Sequence, residues 1–294
     1  MNETIFNSLP EDLQDVYGRY CLPDDLSGLT IDSVILSEEN KVKVQEFLVE
    51  TKYKKKFMDY GLKPVNRILN YGASGTGKTY LTKCLAAHLG YELLSIDIAN
   101  ALSTGVAAKA LEDIFTLGNR LGKAIIFLDE CDAIARDRSD KSVPEDPNVR
   151  RANNALFQLL DRMNPDCIFV SATNLYKELD TAFTRRFHVN MRFDRPPLTN
   201  LEETINKFML PAFSLDMDMQ PEIKKIILWH ARNYTGLSYD GIKTWVERAE
   251  KKAIMREEET IKETEIYDYF MDAMHVSLKL NDKNEYYLFD NGGQ

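Results

Sequence analysis

The chain of 294 residues is poor in the residue types that mark secreted, metal-stapled and nucleic-acid-coating proteins. Its four cysteines, at positions 21, 84, 131 and 167, show no C-x-x-C spacing, and three of them lie within apolar segments. That pattern excludes a disulfide framework and points to buried thiols in a reducing compartment. Histidine occurs four times (His88, His188, His230, His275), always isolated and never in an i, i+4 pair, so no zinc site is expected. Positive charge is also short: 37 Lys and Arg against 46 Asp and Glu leave a net charge of −9. A broad electrostatic footprint for DNA or RNA is therefore not expected. The one basic run, Lys52-Tyr53-Lys54-Lys55-Lys56, reads as a solvated helix face. No apolar stretch approaches the ~18 residues of a membrane span, so no membrane partner is expected. The start, Met1-Asn2-Glu3-Thr4-Ile5, lacks a basic region followed by an apolar one, so no signal peptide is expected and a cytoplasmic location is.

What is present in quantity is an ordinary globular composition, 44% hydrophobic and 28% charged. Within it stands Gly72-Ala73-Ser74-Gly75-Thr76-Gly77-Lys78-Thr79, which fits G-x-x-x-x-G-K-[ST]. Glycines let successive amides turn toward one anion. Lys78 would reach the β- and γ-phosphates of a nucleotide, and the Thr79 hydroxyl would sit on Mg²⁺. The loop follows an apolar run, Arg67 to Tyr71, and opens a helical pattern with Leu81, Leu85 and Leu89 on one face. Strand, Gly-rich loop and helix together aim a positive helix end at phosphate. Further strands are expected over Leu93–Ile98, Ala124–Leu128, Cys167–Ser171 and Val189–Phe193. Between them lie helices over Val106–Leu117 and around Ala155–Met163, and loops up to Gly105 and over residues 139–148. Strands alternating with helices imply a parallel sheet covered on both faces.

The strand expected over Ala124–Leu128 ends in Asp129-Glu130. Two carboxylates at the carboxyl edge of a sheet lie where a phosphate-bound metal would sit. Asp129 would hold the metal, and Glu130 would orient and deprotonate the attacking water. From here the chain resembles an AAA+ ATPase, of the AAA family proper. Ser171-Ala172-Thr173-Asn174 resembles the sensor-1 segment, with Asn174 placing the lytic water. Leu179-Asp180-Thr181-Ala182-Phe183-Thr184-Arg185-Arg186-Phe187 resembles the second region of homology, whose two arginines, Arg185 and Arg186, reach the neighbouring subunit's nucleotide. Gly236-Leu237-Ser238-Tyr239-Asp240-Gly241-Ile242 resembles the signature of the helical lid, bringing Gly236 and Tyr239 toward the nucleotide. Ile31-Asp32-Ser33-Val34 resembles the segment that meets adenine, and the phosphate loop runs on through Tyr80.

The resemblance implies a P-loop parallel sheet sandwiched by helices, followed by a small all-α lid. The expected layout is an N-terminal arm over 1–29, the α/β nucleotide-binding domain over 30–195, the lid over 196–276 and an acidic tail over 277–294. It implies ATP and Mg²⁺ as ligands, a homo-oligomeric ring of six, and ATP hydrolysis that remodels or disassembles a protein partner. Two alternatives stay open: an ATP-gated assembly switch, and an ATPase acting on nucleic acid, which the acidic balance disfavours. One departure bears on this choice. Where substrate-threading relatives carry an aromatic residue two positions before a glycine, this chain has Ser103 before Gly105. A serine hydroxyl cannot grip polypeptide by stacking.

Overall fold

The computed structural model describes residues 9–22, 24–136 and 146–291. The chain divides into two compact units. One holds residues up to Gly72 together with Gly77–Phe193; the other holds Ala73–Thr76 and the residues from Asp194 on.

The first unit contains, in chain order, α1 (Glu11–Tyr20), β1 (Cys21–Leu22), α2 (Glu38–Asp59), β2 (Arg67–Gly72), α3 (Lys78–Leu89), β3 (Glu92–Ile96), α4 (Ile98–Ser103), α5 (Ala107–Leu121), β4 (Ala124–Leu128), α6 (Asp132–Ala135), α7 (Pro147–Arg162), β5 (Ile168–Thr173), α8 (Thr181–Thr184) and β6 (Val189–Phe193). Its six strands form one sheet in the order β1-β3-β4-β5-β2-β6. Every neighbouring pair is parallel except the β1–β3 edge, which is antiparallel.

Side chains alternate across this sheet as a pleated strand requires. On β4, Ile126 and Leu128 join a layer with Leu111, Phe115 and Leu156, while Ile125 and Phe127 join the opposite layer with Phe47, Leu81 and Leu85. All five β4 residues are buried, so the strand has no polar alternation. Each such Ile, Leu or Phe contributes about 1.5–3 kcal/mol by leaving water. The register sets Leu128 beside Ser171 and Tyr71 beside Thr173. The carboxyl ends of β4, β5 and β2 are thereby brought level, the edge where open α/β sheets bind ligands.

Three stretches of the first unit carry structure that the sequence-based reading did not give them. The stretch read as an N-terminal arm carries α1 and β1. Leu13, Tyr20 and Cys21 are buried in the layer shared with α5, and the edge strand is too short to show periodicity. Asp24, mostly buried, bonds the Ser95 hydroxyl and pairs with Lys83 at 2.6 Å, holding this segment to β3 and α3. The segment up to Gly105, expected as a loop, contains α4, capped where the Asp97 carboxylate accepts from the Asn100 N–H. The loop expected over residues 139–148 ends early: Pro147 opens α7 behind the Asp146 cap, since proline is favoured in a first helical turn. The rest of that expectation lies outside the described residues.

The second unit is helical, with α9 (Leu201–Phe208), α10 (Pro221–His230), α11 (Tyr239–Met255) and α12 (Glu263–Ala273). Its core gathers Ile205, Ile227, Ile242, Val246, Tyr267 and Phe270. It is not all-α, however. The strands β7 (Ser214–Asp216) and β8 (Thr260–Lys262) pair in parallel, and β9 (Val276–Leu280) and β10 (Tyr286–Asp290) form an antiparallel hairpin in the stretch expected as an acidic tail. Asn281 makes the hairpin turn, its side-chain oxygen accepting from the N–H groups of Lys283 and Glu285.

Candidate nucleotide site

The site begins with the backbone at the end of β2. Gly72 has φ +143°, and a Cβ there would lie 2.0 Å from the Phe193 carbonyl oxygen. Only glycine fits so close an approach of two parallel strands. Gly72→Ala is therefore expected to destabilise the fold by more than about 2 kcal/mol. The midpoint of chemical unfolding measures this, and an unchanged midpoint would show that the strand ends are not packed this way.

From Gly77, also at positive φ, the chain enters α3 with Lys78 as its first residue. The Lys78 ammonium donates to the Gly72 carbonyl at 3.0 Å and to Asn174 Oδ1 at 2.7 Å. Burial pulls this lysine below its usual range, and Asp129 pulls it back up. The Thr79 hydroxyl donates to Asp129 Oδ2 at 2.7 Å. Asp129 Oδ1 accepts from the Glu130 N–H at 2.9 Å, so both carboxylate oxygens are held. Glu130 is exposed and sits at φ +49°, the left-handed region that side-chain-bearing residues seldom occupy. This turn swings its carboxylate off the line of β4.

Two residues missed from the sequence complete the frame. Asn70, fully buried on β2, donates from Nδ2 to the Lys78 carbonyl at 3.3 Å and fixes the first turn of α3. Asp132 accepts from the Thr173 hydroxyl at 2.6 Å, and that hydroxyl accepts from the Leu175 N–H at 2.8 Å, bracketing Asn174. The spacing Asp129–Asp132 was a visible signal for the second. A lone asparagine in an apolar run signals the first, because a buried amide needs partners.

The structure thus brings together Gly72, Lys78, Thr79, Asp129 and Asn174, with Glu130 adjoining. Ala73, Ser74, Gly75 and Thr76 group with the second unit, where the Thr76 hydroxyl donates to the Ala73 carbonyl at 2.8 Å. There the Asp240 N–H donates to the Gly75 carbonyl at 3.2 Å. A Cβ on Gly75 would come within 2.8 Å of Ser238 Oγ, the atom that caps α11. Tyr239, half-buried, has its phenol pKa raised by burial and then by Asp194 and Glu203, while Gly236 is exposed. Tyr80 is exposed on the first turn of α3. Asp32 and Ser33 lie in a short 3₁₀ turn, and Val34 is buried in the layer of Leu81 and Leu85.

The two arginines part company. Arg186 donates from Nη1 to the Ala182 carbonyl at 2.8 Å, pairs with Asp161 at 3.5 Å and lies 4.2 Å over the Phe157 ring. Arg185 is exposed, and its side chain makes no hydrogen bond or ion pair among the described residues. The described residues hold no group of three or more His, Cys, Asp or Glu side chains arranged to hold a metal ion. The Thr79–Asp129 pair nevertheless fits Mg²⁺, which takes few protein oxygens and completes its shell with phosphate and water.

A family model described as the ATPase family associated with various cellular activities (AAA) matches residues 68–195. Among curated proteins, an uncharacterized AAA family ATPase of Sinorhizobium fredii is 32% identical over 167 residues, covering 56% of this chain and 50% of that protein. The ATP-dependent zinc metalloprotease FtsH 2 of Alkaliphilus metalliredigens is 31% identical over 188 residues, 62% of this chain and 27% of that one. The human ATP-dependent zinc metalloprotease YME1L1 is 29% identical over 273 residues, 90% of this chain and 34% of that one. The chain thus spans half or less of the length of these relatives.

Proposed function

We propose that this chain, whose residues 68–195 match the AAA family model, hydrolyses Mg²⁺–ATP in an oligomeric ring and acts on a protein partner. The observation that carries this reading is the convergence of Lys78 with Asn174, and of Thr79 with Asp129, at the level ends of β2, β5 and β4.

Lys78, now bonded to a carbonyl and an amide oxygen, is a cation whose partners a phosphate oxygen could replace. Thr79 and Asp129 would hold Mg²⁺, which supplies charge neutralisation on the phosphate oxygens. Glu130 takes the proton of the attacking water, and Asn174, held by the Asp132–Thr173 and Thr173–Leu175 bonds that flank it, orients that water. Arg185, whose side chain has no partner among the described residues, is the guanidinium available to a neighbouring copy's phosphates. Arg186 is spent on Asp161, Ala182 and Phe157 and acts by positioning the end of α8. A site completed by a neighbour implies head-to-tail contacts, which close into a ring.

The test of the nucleotide site is Lys78→Ala. Loss of ATP affinity by calorimetry, with the fold intact by circular dichroism, is expected. Retained affinity would place the nucleotide elsewhere.

A protein as the partner is supported by the acidic balance of the chain and by relatives named as ATP-dependent proteases. A second reading, an ATP-gated switch that recruits an effector without threading it, is favoured by Ser103. That residue ends α4 exposed, with its hydroxyl turned back onto the Asn100 carbonyl at 2.9 Å. Leu102, beside it, packs against the core. No aromatic grip is offered at this point of the chain. Pull-down with Glu130→Gln in the presence of ATP, followed by identification of recovered protein or nucleic acid, tests whether the partner is a protein.

A further inference from the structure

The turn that carries Asn174 rests at both ends on one residue, Tyr71. At its start, Thr173 ends β5 beside Tyr71 in the parallel ladder. At its end, the chain folds back through a 3₁₀ turn, Tyr176–Glu178, and the Tyr176 ring stacks on the Tyr71 ring. The ring centroids are 4.0 Å apart and the planes lie 23° from parallel. Stacked aromatic pairs attract beyond the area they bury. Tyr71 is followed by Gly72, whose carbonyl accepts from the Lys78 ammonium at 3.0 Å, while Asn174 Oδ1 accepts from the same ammonium at 2.7 Å. Both of these acceptors are thus carried by backbone that adjoins Tyr71 or pairs with it.

The other ties stop short of the middle of this segment. The Asp132–Thr173 bond and the bond from the Leu175 N–H to the Thr173 hydroxyl hold its start. The Glu178–Arg136 ion pair at 2.5 Å and the bond from the Asp180 N–H to the Ala135 carbonyl hold its end against α6 and the residue after it. Between them, Leu175 and Lys177 are exposed, and Tyr176 turns inward, half-buried against the layer that holds Leu179 and Phe183. Asn174 itself is exposed, so packing does not hold its amide. The two tyrosines meet through their ring faces, and neither phenol makes a hydrogen bond among the described residues.

We infer that Tyr176, stacked on Tyr71, is a positioning residue for ATP hydrolysis: it fixes the Asn174 amide relative to the phosphate loop, where that amide orients the attacking water. This role presupposes that Asn174 orients the water, as in the proposed function. A side chain that only filled space could be any of similar bulk. A stack on the strand that leads into the phosphate loop instead sets where Asn174 lies with respect to that loop. A displacement of about 1 Å in such a group costs on the order of 10²-fold in rate.

Steady-state ATP hydrolysis by the full chain, measured beside equilibrium ATP binding, tests it. Tyr176→Leu keeps an apolar side chain but loses the stack. Its kcat is expected to fall about tenfold to a hundredfold, with ATP affinity within about twofold of the wild type. Tyr176→Phe keeps the ring and is expected to turn over at the wild-type rate. Tyr71→Leu should lose as much as Tyr176→Leu, and the double variant no more than either, as two halves of one interaction behave. The side-chain amide resonance of Asn174, assigned by its absence in Asn174→Asp, reports placement without turnover. It is expected to shift in Tyr176→Leu and to stay in place in Tyr176→Phe. A wild type that hydrolyses no ATP would overturn the reading of the nucleotide site, and the amide resonance would then decide the placement by itself. Four results would overturn the role of Tyr176: a wild-type rate in Tyr176→Leu, a rate loss no larger than its loss of folded protein by circular dichroism, an equal loss in Tyr176→Phe, or an amide resonance that does not move.

Discussion

Replacing Arg185 with alanine is expected to lower the ATPase rate by about 10³–10⁵-fold, the range for a guanidinium delivered to a transferring phosphoryl group. Arg185 is exposed and its side chain has no partner among the described residues, so its removal is expected to leave the fold undisturbed. Unfolding midpoint and ATP affinity of the isolated chain should therefore stay within error of the wild type. Arg186→Ala should behave otherwise. It strips a carbonyl, a carboxylate and an aromatic face of their partner, so its rate loss should come with a lowered midpoint. The decisive measurement is complementation. Arg185→Ala keeps an intact Glu130, and Glu130→Gln keeps an intact Arg185. In the proposed ring, a mixture would contain junctions where both are intact, and turnover should reappear at intermediate ratios. Turnover that stays absent at every ratio would mean that Arg185 acts within its own subunit or not at all.

Glu130→Gln is expected to lower turnover by about 10²–10⁴-fold, the contribution of a positioned general base, while ATP binding persists. The separation of these effects follows from geometry. The Glu130 backbone N–H holds Asp129 Oδ1, so the substitution leaves the Thr79–Asp129 pair in place. Only the exposed carboxylate, turned outward at φ +49°, is lost. Single-turnover hydrolysis measured beside equilibrium ATP binding checks this. A variant that hydrolyses at the wild-type rate would assign the base to another residue, and one that loses affinity would make Glu130 a binding group.

The geometry of the candidate nucleotide site was legible to differing depths. The phosphate loop and Asp129-Glu130 are local patterns, since a loop that cradles phosphate needs glycines, a cation and a hydroxyl at fixed spacing along the chain. Asn174 was legible through resemblance, but the bond that joins it to Lys78 spans two strands and is set by sheet register. Asn70 escaped notice because a buried polar residue looks like any strand residue until its partners are known. The β9–β10 hairpin was missed because its residues are mixed polar and apolar, and its stability comes from cross-strand pairing. The strand β1 was missed because two residues carry no period at all.

By itself, the sequence of this protein determined the alternation of strands and helices, the phosphate loop and the carboxylates that follow β4. Each depends on residues close together in the chain, where backbone stereochemistry and side-chain period act directly. Tertiary structure alone decided that Arg186 is packed and Arg185 exposed, because the two are neighbours of identical chemistry that differ, among the described residues, only in what packs beside them. It also decided that Val44 and Phe47 of α2 are buried while Val42 and Val49 are exposed. Burial is a relation between distant segments, and no spacing along a single helix says which of two apolar faces the rest of the chain will cover.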